Sequence, residues 1–306
     1  MKDLVFACPL GSGETANQAL RLAHSIRTFG GIFCFNPIWM ISQSREEDLP
    51  EPVRKQLFTL GVRLVAYEID PQVDGFPFAS YVTAAAMAET LAMGETCLLA
   101  MLASDTLMLQ PPHAFLLPPG KSFGGCPVHL KLLGSAIEDP PDEFWTLVYR
   151  ECGVTPDEVF PVCTVVDEQM VRAYFNAGLL VVRPERGILR AWQTRFDALC
   201  HLPGFETFYH QHEQYKIFMH QAVLAGTLLS LLRPSEFLQF PLEINYPLHL
   251  HTKVASTRRP TSLTQLTTCR YEDFHQVFDQ PHRMDDLFIE PDLRAWLGAS
   301  SRVNPL

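Results

Sequence analysis

The chain has no Cys-x-x-Cys pair, no apolar run long enough to cross a bilayer, and little charge of either sign. Each absence excludes something. Eight cysteines (Cys8, Cys34, Cys97, Cys126, Cys152, Cys163, Cys200 and Cys269) are scattered through 306 residues. Without paired spacing they suit neither a zinc knuckle nor a small disulfide scaffold, and read as reduced, mostly buried thiols. The longest apolar stretch, residues 217–232, is broken by His220 and Gln221 and falls short of a membrane span. The apolar stretch 4–8 is too short for a secretory signal. Charged residues make up only 19%, and 24 basic against 34 acidic side chains leave a net charge of −10. A chain so acidic is a poor partner for a phosphate backbone, which excludes nucleic acid as the expected ligand. These absences predict a cytoplasmic protein with no transmembrane segment.

What is present is a large core. A hydrophobic share of 47% supports one sizeable folded unit, and no linker or internal repeat divides it. Residues 4–8, 38–41, 62–67 and 97–102 read as strands. Between them Ala19, Leu22, Ala23 and Ile26 mark one helical face, and 52–60 and 81–93 read as further helices. Thr15 with Gln18 three residues later fits a capping box at the first helix start. Strands alternating with helices of this length predict an α/β fold, a mixed and mostly parallel sheet between helices. The second half is less regular. Residues 123–128 and 175–182 read as strands, and 144–149, 188–199 and 215–232 as helices. Residues 237–250 look extended, with Pro241 and Pro247 at an edge, and 253–265 reads as a mobile loop.

Several segments could carry chemistry. Gly11-Ser12-Gly13-Glu14-Thr15-Ala16 follows a strand and opens a helix, the form of a dinucleotide-binding turn. The acid that should hold a ribose about 20 residues on is missing, so a plain turn with a helix cap fits equally well. Asp105 follows the strand 97–102, at the sheet edge where open α/β sheets bind ligands. There it either holds a hard cation or caps a turn. Of two His-x-His pairs, His210 and His212 lie in a polar stretch. His249 and His251, if on a strand, would face one way and could share a ligand. Lys253, Arg258 and Arg259 place local positive charge in the loop, suited to a phosphate leaving group or to plain solvation.

In order and spacing these pieces resemble GT-A-type glycosyltransferases, the nucleotide-diphospho-sugar transferases, nearest the glycogenin and lipopolysaccharide-galactosyltransferase group. The similarity covers residues 4–273. Val5-Phe6-Ala7-Cys8 with the following helix resembles the nucleotide-binding unit. Ala103-Ser104-Asp105-Thr106 resembles the Asp-x-Asp metal motif, with alanine in place of its first acid. Asn176-Ala177-Gly178 is similar to the strand lining the sugar site. Gln221 stands in the place of an Asp-Gln-Asp segment without its acids, and Asn245-Tyr246 follows as a late Tyr-Asn element does. The resemblance implies one domain over 1–306, with 1–110 as the nucleotide half and 111–306 as the acceptor and sugar half with a C-terminal extension. It implies Ala7, Cys8, Asp105, Lys253 and Arg258 at the donor, and Asn176, Ala177, Gly178, Gln221 and Asn245 at the sugar and acceptor. It also implies Mn²⁺ or Mg²⁺ on Asp105, His249 and His251. The partners would be a nucleotide-sugar donor and an unknown acceptor (glycan, lipid or protein). Cys269-Arg270-Tyr271 lies where some relatives place a His-Tyr pair. A non-catalytic nucleotide-sugar or glycan-binding protein and a nicotinamide-dependent oxidoreductase are the alternatives.

Overall fold

A computed structural model of the chain describes residues 2–278 and 286–300. The first half alternates as its periodicity predicts: β1 (Lys2–Leu10), α1 (Glu14–Phe29), β2 (Ile38–Ser42), α2 (Glu51–Thr59), β3 (Val62–Ala66), α3 (Ala79–Ala92), β4 (Thr96–Leu102). β5 (Thr106–Met108) and β6 (Phe123–Pro127) precede α4 (Glu143–Cys152) and a hairpin of β7 (Pro161–Cys163) and β8 (Met170–Arg172). Next come β9 (Phe175–Val182), α5 (Ile188–Leu199), α6 (Pro203–Gln211), α7 (Glu213–Ile217) and α8 (Met219–Leu231). The chain then gives β10 (Phe237–Gln239), β11 (Tyr246–Pro247), β12 (Thr268–Arg270), α9 (Phe274–Phe278) and α10 (Pro291–Ser300).

Seven strands form one sheet in the order β10-β6-β9-β4-β1-β2-β3. β9 runs antiparallel to β4 and β6, and every other neighbouring pair is parallel. Helices cover both faces, so strands inside the sheet bury both sides and read as continuous apolar runs. All five residues of β2 are buried. Alternation then sorts side chains between two cores. Val5 and Ala7 of β1 face the layer of α3, α5 and α8, whereas Leu4, Phe6 and Cys8 face α1 and α2. Alanines at 84, 85, 88 and 92 are fully buried and let α3 lie close against the sheet and α5.

Departures from the expected elements are local. β1 does not stop at Pro9 but pairs with β2 through Leu10. α1 begins at Glu14 behind Gly13, whose φ of 57° suits glycine, and no side chain caps it. The helix expected over 215–232 is two helices, α7 and α8, meeting at Phe218. The stretch 237–250 is not extended throughout: β10 and β11 are short, and Leu248–Lys253 forms a 3-10 turn. The loop 253–265 holds two further 3-10 turns, the second closed by a capping box between Ser262 and Gln265.

A second sheet, β11-β12-β5, positions the site. β12 runs antiparallel to β5 with Arg270 opposite Thr106, and the Tyr271 amide donates to the Asp105 carbonyl at 3.2 Å. The pairing carries residues 270–272 to the carboxyl end of β4, and Leu107, Tyr246, Cys269 and Tyr271 anchor it in a third core.

Candidate active site

From β1 the chain turns to β2 on one side and later to β4 on the other, so the sheet's switch point lies between β1 and β4. Ligands of open α/β sheets bind outside the carboxyl ends of strands at such a point. A cavity of about 590 Å³ opens there, walled by Pro9–Ser12 of the first turn, by 41–44 after β2, by 103–105 after β4, and by Tyr67, Tyr81, Arg270 and Glu272. Ala7 and Cys8, expected at the donor, are 1% exposed and line none of it. The continuation of β1 moves the rim two to four residues onward. Burial pushes the Cys8 thiol up to about 12, so it is an inert core group.

Asp105 stands on the rim as expected, in a turn closed by the Thr106 amide donating to the Ala103 carbonyl. Its carboxylate is already engaged. Arg270 Nη2 donates to Oδ2 at 2.8 Å, and Nε lies 2.7 Å from Oδ1. Burial alone would lower the Arg270 pKa, but the adjacent Asp105 carboxylate reverses that and raises it. The guanidinium sits in a notch in β9. A Cβ built on Gly178 would overlap Arg270 Nη1 and reach 2.9 Å from its Cζ, so only glycine leaves room. Gly178, expected to shape a sugar pocket, therefore also seats the arginine.

Beside this pair a smaller cavity of about 200 Å³ is lined by Asn176, Gln221, His129, Tyr174, Phe218 and His249, with Glu272 on its wall as on that of the larger cleft. Gln221 Oε1 accepts from the Ala177 amide at 3.0 Å. Asn176 Oδ1 accepts from the Gly178 amide at 2.8 Å and from Asn245 Nδ2 at 3.3 Å. Five residues expected at one pocket, 176 to 178 with Gln221 and Asn245, are thus brought together from β9, α8 and the turn before β11. Asn245 takes φ 58° and its Oδ1 is buried with no hydrogen-bond partner. Such an orphan acceptor, one residue behind the pocket wall, costs free energy unless a donor reaches it. Burial and the Arg270 charge hold His129 down at about 3, so it is neutral here.

A family model described as the Rhodobacterales glycosyltransferase domain matches residues 7–227. The chain belongs to this glycosyltransferase family. No curated protein matches it. In fold it is similar to an active-site mutant of LgtC, at 16% identity and a TM-score of 0.51, over 97% of this chain and 95% of that one. It is also similar to the glycosyltransferase GlyE of Streptococcus pneumoniae, at 12% identity and 0.52, over 99% of this chain but 60% of that one. These likenesses bear out the GT-A-type fold, and the family removes the oxidoreductase and non-catalytic alternatives.

For this glycosyltransferase the expected metal set does not assemble. His249 and His251 were expected to face one way on a strand, but they lie in a 3-10 turn, where residues two apart point in different directions. His251 is 1% exposed, with Nδ1 at 2.8 Å from the Tyr246 hydroxyl and Nε2 at 3.1 Å from Asp286. His249 faces the pocket, with Nε2 at 3.1 Å from Glu272 and Nδ1 at 3.3 Å from the Arg270 carbonyl. Ala103 offers no second carboxylate, and both Asp105 oxygens face Arg270. Among the described residues no three His, Cys, Asp or Glu side chains are grouped to hold a metal ion. A divalent ion about 4 Å from an unmoved guanidinium would meet repulsion on the order of 8 kcal/mol at an effective dielectric near 20. The residues present do not fit the implied Mn²⁺ or Mg²⁺.

The basic loop is likewise committed. Arg259 donates to Asp286 Oδ2 at 2.8 Å and to the carbonyls of Val254 and Thr252, while Arg258 pairs with Glu168 at 2.9 Å and donates to the Val165 carbonyl. Neither lines the cleft. Lys253 is exposed and lines a separate cavity of about 450 Å³ that meets the cleft only at Glu272. Sequence reasoning missed Arg270, Glu272, Tyr81 and Gln18 as cleft residues. Gln18 bridges α1 to the site, donating to the Glu272 carbonyl at 3.0 Å and accepting from Ser104 Oγ at 3.2 Å.

Proposed function

We propose that the enzyme transfers a glycosyl group from a nucleotide-diphosphate sugar to a hydroxyl of a glycan, lipid or protein acceptor. In this reading 1–110 supply the nucleotide half and 111–306 the sugar and acceptor half. The single observation that supports it most is the arrangement around Arg270. A fixed cation stands on the wall of a cleft of nucleotide size, and that cleft shares Glu272 with a polar pocket lined by Asn176 and Gln221. That is the order of charge and polarity along a nucleotide, a diphosphate and a sugar.

In the reaction the bond between the sugar's anomeric carbon and the diphosphate oxygen breaks, and its electron pair stays on the diphosphate. The acceptor oxygen bonds to the anomeric carbon and gives up its proton. Stabilising the charge that gathers on the leaving diphosphate is where a preorganised cation contributes most. Asn176 and Gln221 offer amide groups to sugar hydroxyls, and Asn245 supports Asn176 from behind. None of the eight cysteines forms a disulfide among the described residues, which supports action in the reducing cytoplasm. No helix among the described residues is long and apolar enough to cross a membrane.

The test is release of nucleoside diphosphate from UDP-, GDP-, ADP-, CDP- and TDP-linked sugars, alone and with a panel of glycan acceptors. Acceptor-stimulated release of one nucleotide is the expected result. If no donor is hydrolysed or transferred, and no nucleoside diphosphate raises the melting temperature, the donor reading fails.

A further inference from the structure

We propose that Arg270, held by Asp105 and seated in the notch at Gly178, is the cation that meets the donor's diphosphate in place of a divalent metal. The proposal rests on the nucleotide-sugar reading above and deepens it. It is carried by how the guanidinium is placed. One edge of the fork, Nε and Nη2, faces the Asp105 carboxylate at 2.7 and 2.8 Å. The other terminal nitrogen, Nη1, makes no hydrogen bond among the described residues and lies against the bare backbone of Gly178, next to Asn176 Oδ1. The side chain is 17% exposed and lines the cleft, where this edge can be reached by a ligand.

A guanidinium fixed by one edge presents the other as a preorganised pair of donors, the geometry that phosphate oxygens accept. Among the described residues lining the cleft, Arg270 is the one basic side chain, in a chain of net charge −10. A diphosphate entering here has no other positive partner on the cleft wall. Nor is the arginine a casual occupant. β12 places it by pairing with β5, β9 is notched for it, and Asp105 neutralises it. A metal on Asp105 would have to displace a partner for which the backbone has been shaped. As the glycosidic bond breaks with its electron pair remaining on the diphosphate, the charge grows beside Nη1 and that contact strengthens.

The experiment is calorimetry of the wild-type chain with ADP, GDP, UDP, CDP and TDP, each in EDTA and in Mn²⁺. The expected result is that the diphosphate that binds does so with the same affinity in both. Asp105→Asn/Arg270→Gln removes the pair without leaving a buried charge unpaired. It should weaken that diphosphate by about tenfold or more and leave the matching nucleoside's binding unchanged. Arg270→Lys, which keeps a point charge but loses the fork, should fall between, and it serves if the double variant does not fold. Binding that requires Mn²⁺, or equal diphosphate affinity in wild type and double variant, overturns the proposal while leaving the donor reading intact. Binding of none of the five in either condition overturns the donor reading itself, and this inference with it.

Discussion

Gly178→Ala tests the Arg270 seat with one methyl group and no change of charge. Two effects of opposite sign compete. Gly178 lies in β9 without a positive φ, so alanine can adopt its backbone. Stiffening the unfolded chain alone would then stabilise by about 0.4–1 kcal/mol. Against this, the new Cβ overlaps Arg270 Nη1 and stands 2.9 Å from both Cζ and Asn176 Oδ1. The guanidinium must leave, and Asp105, 11% exposed, loses its partner. Loss of a charge-assisted hydrogen bond costs roughly 1.5–3 kcal/mol, with the stranded carboxylate at the upper end. With the upper-end loss of about 3 kcal/mol offset by about 0.4–1 kcal/mol, the net sign is destabilising, by about 2–2.6 kcal/mol. At about 2.1 cal/mol/K of unfolding entropy per residue over 306 residues, that lowers the melting temperature by about 3–4 °C. Calorimetric melting beside nucleoside-diphosphate titration separates the outcomes. A lower melting point with diphosphate affinity down by about tenfold is expected. A variant that melts at or above the wild-type temperature and binds equally well would show that Arg270 moves freely, and the notch argument would fall.

Acid should unfold the enzyme partly through two histidines. Burial holds His220, like His129, at about 3 in the folded chain. Between pH 3 and about 6.5 the unfolded chain therefore binds protons the folded chain refuses, so stability is complete above that window and is lost as pH falls through it. His220→Gln should flatten the slope of unfolding free energy between pH 6 and 4 by up to about 1.4 kcal/mol per pH unit; an unchanged slope in urea titrations would contradict the burial. Arg259→Ala should lower the melting temperature by about 2–4 °C, while donor turnover per folded molecule stays at the wild-type value. A slowed transfer at unchanged stability would return this loop to the active site. Thiol titration of the native enzyme should leave Cys8, Cys126, Cys152, Cys200 and Cys269 unmodified, since all five are buried, and unfolding should expose all eight. Rapid native labelling of Cys8 would mean that β1 opens at the cleft.

The parts legible in the sequence are those whose pattern is set locally. β2, β4 and β9 are near-continuous apolar runs because both their faces are covered. α1 shows its buried face at helical spacing. Asp105 was legible by position, at the end of a strand. Its partner was not, because 165 residues separate it from Arg270 and a three-residue strand delivers that side chain. The short strands β10 to β12 escape periodicity, which needs several repeats to register. Thr15 and Gln18 fit a capping pattern, but Gly13 takes the N-cap position two residues earlier and Gln18 is spent on Ser104 and Glu272. His249 and His251 misled for the same local reason: period-two reasoning holds on a strand and fails on a 3-10 turn. A signal for Arg270 was present: Cys269-Arg270-Tyr271 stands where the resemblance places a His-Tyr pair.

Ala103 and Arg270 make sense together. With a divalent ion a second carboxylate on the turn would share its charge. With a guanidinium of charge +1, one carboxylate completes the pair, and a second at 103 would stand beside Asp105 with nothing to neutralise it in a mostly buried turn. An acid there would raise the cost of a closely spaced like-charge pair and draw Arg270 between two partners, away from its free edge at Gly178. The alanine leaves the arginine held on one side only. The missing acid, which in the sequence looks like a lost function, in the fold is what keeps half of the guanidinium available.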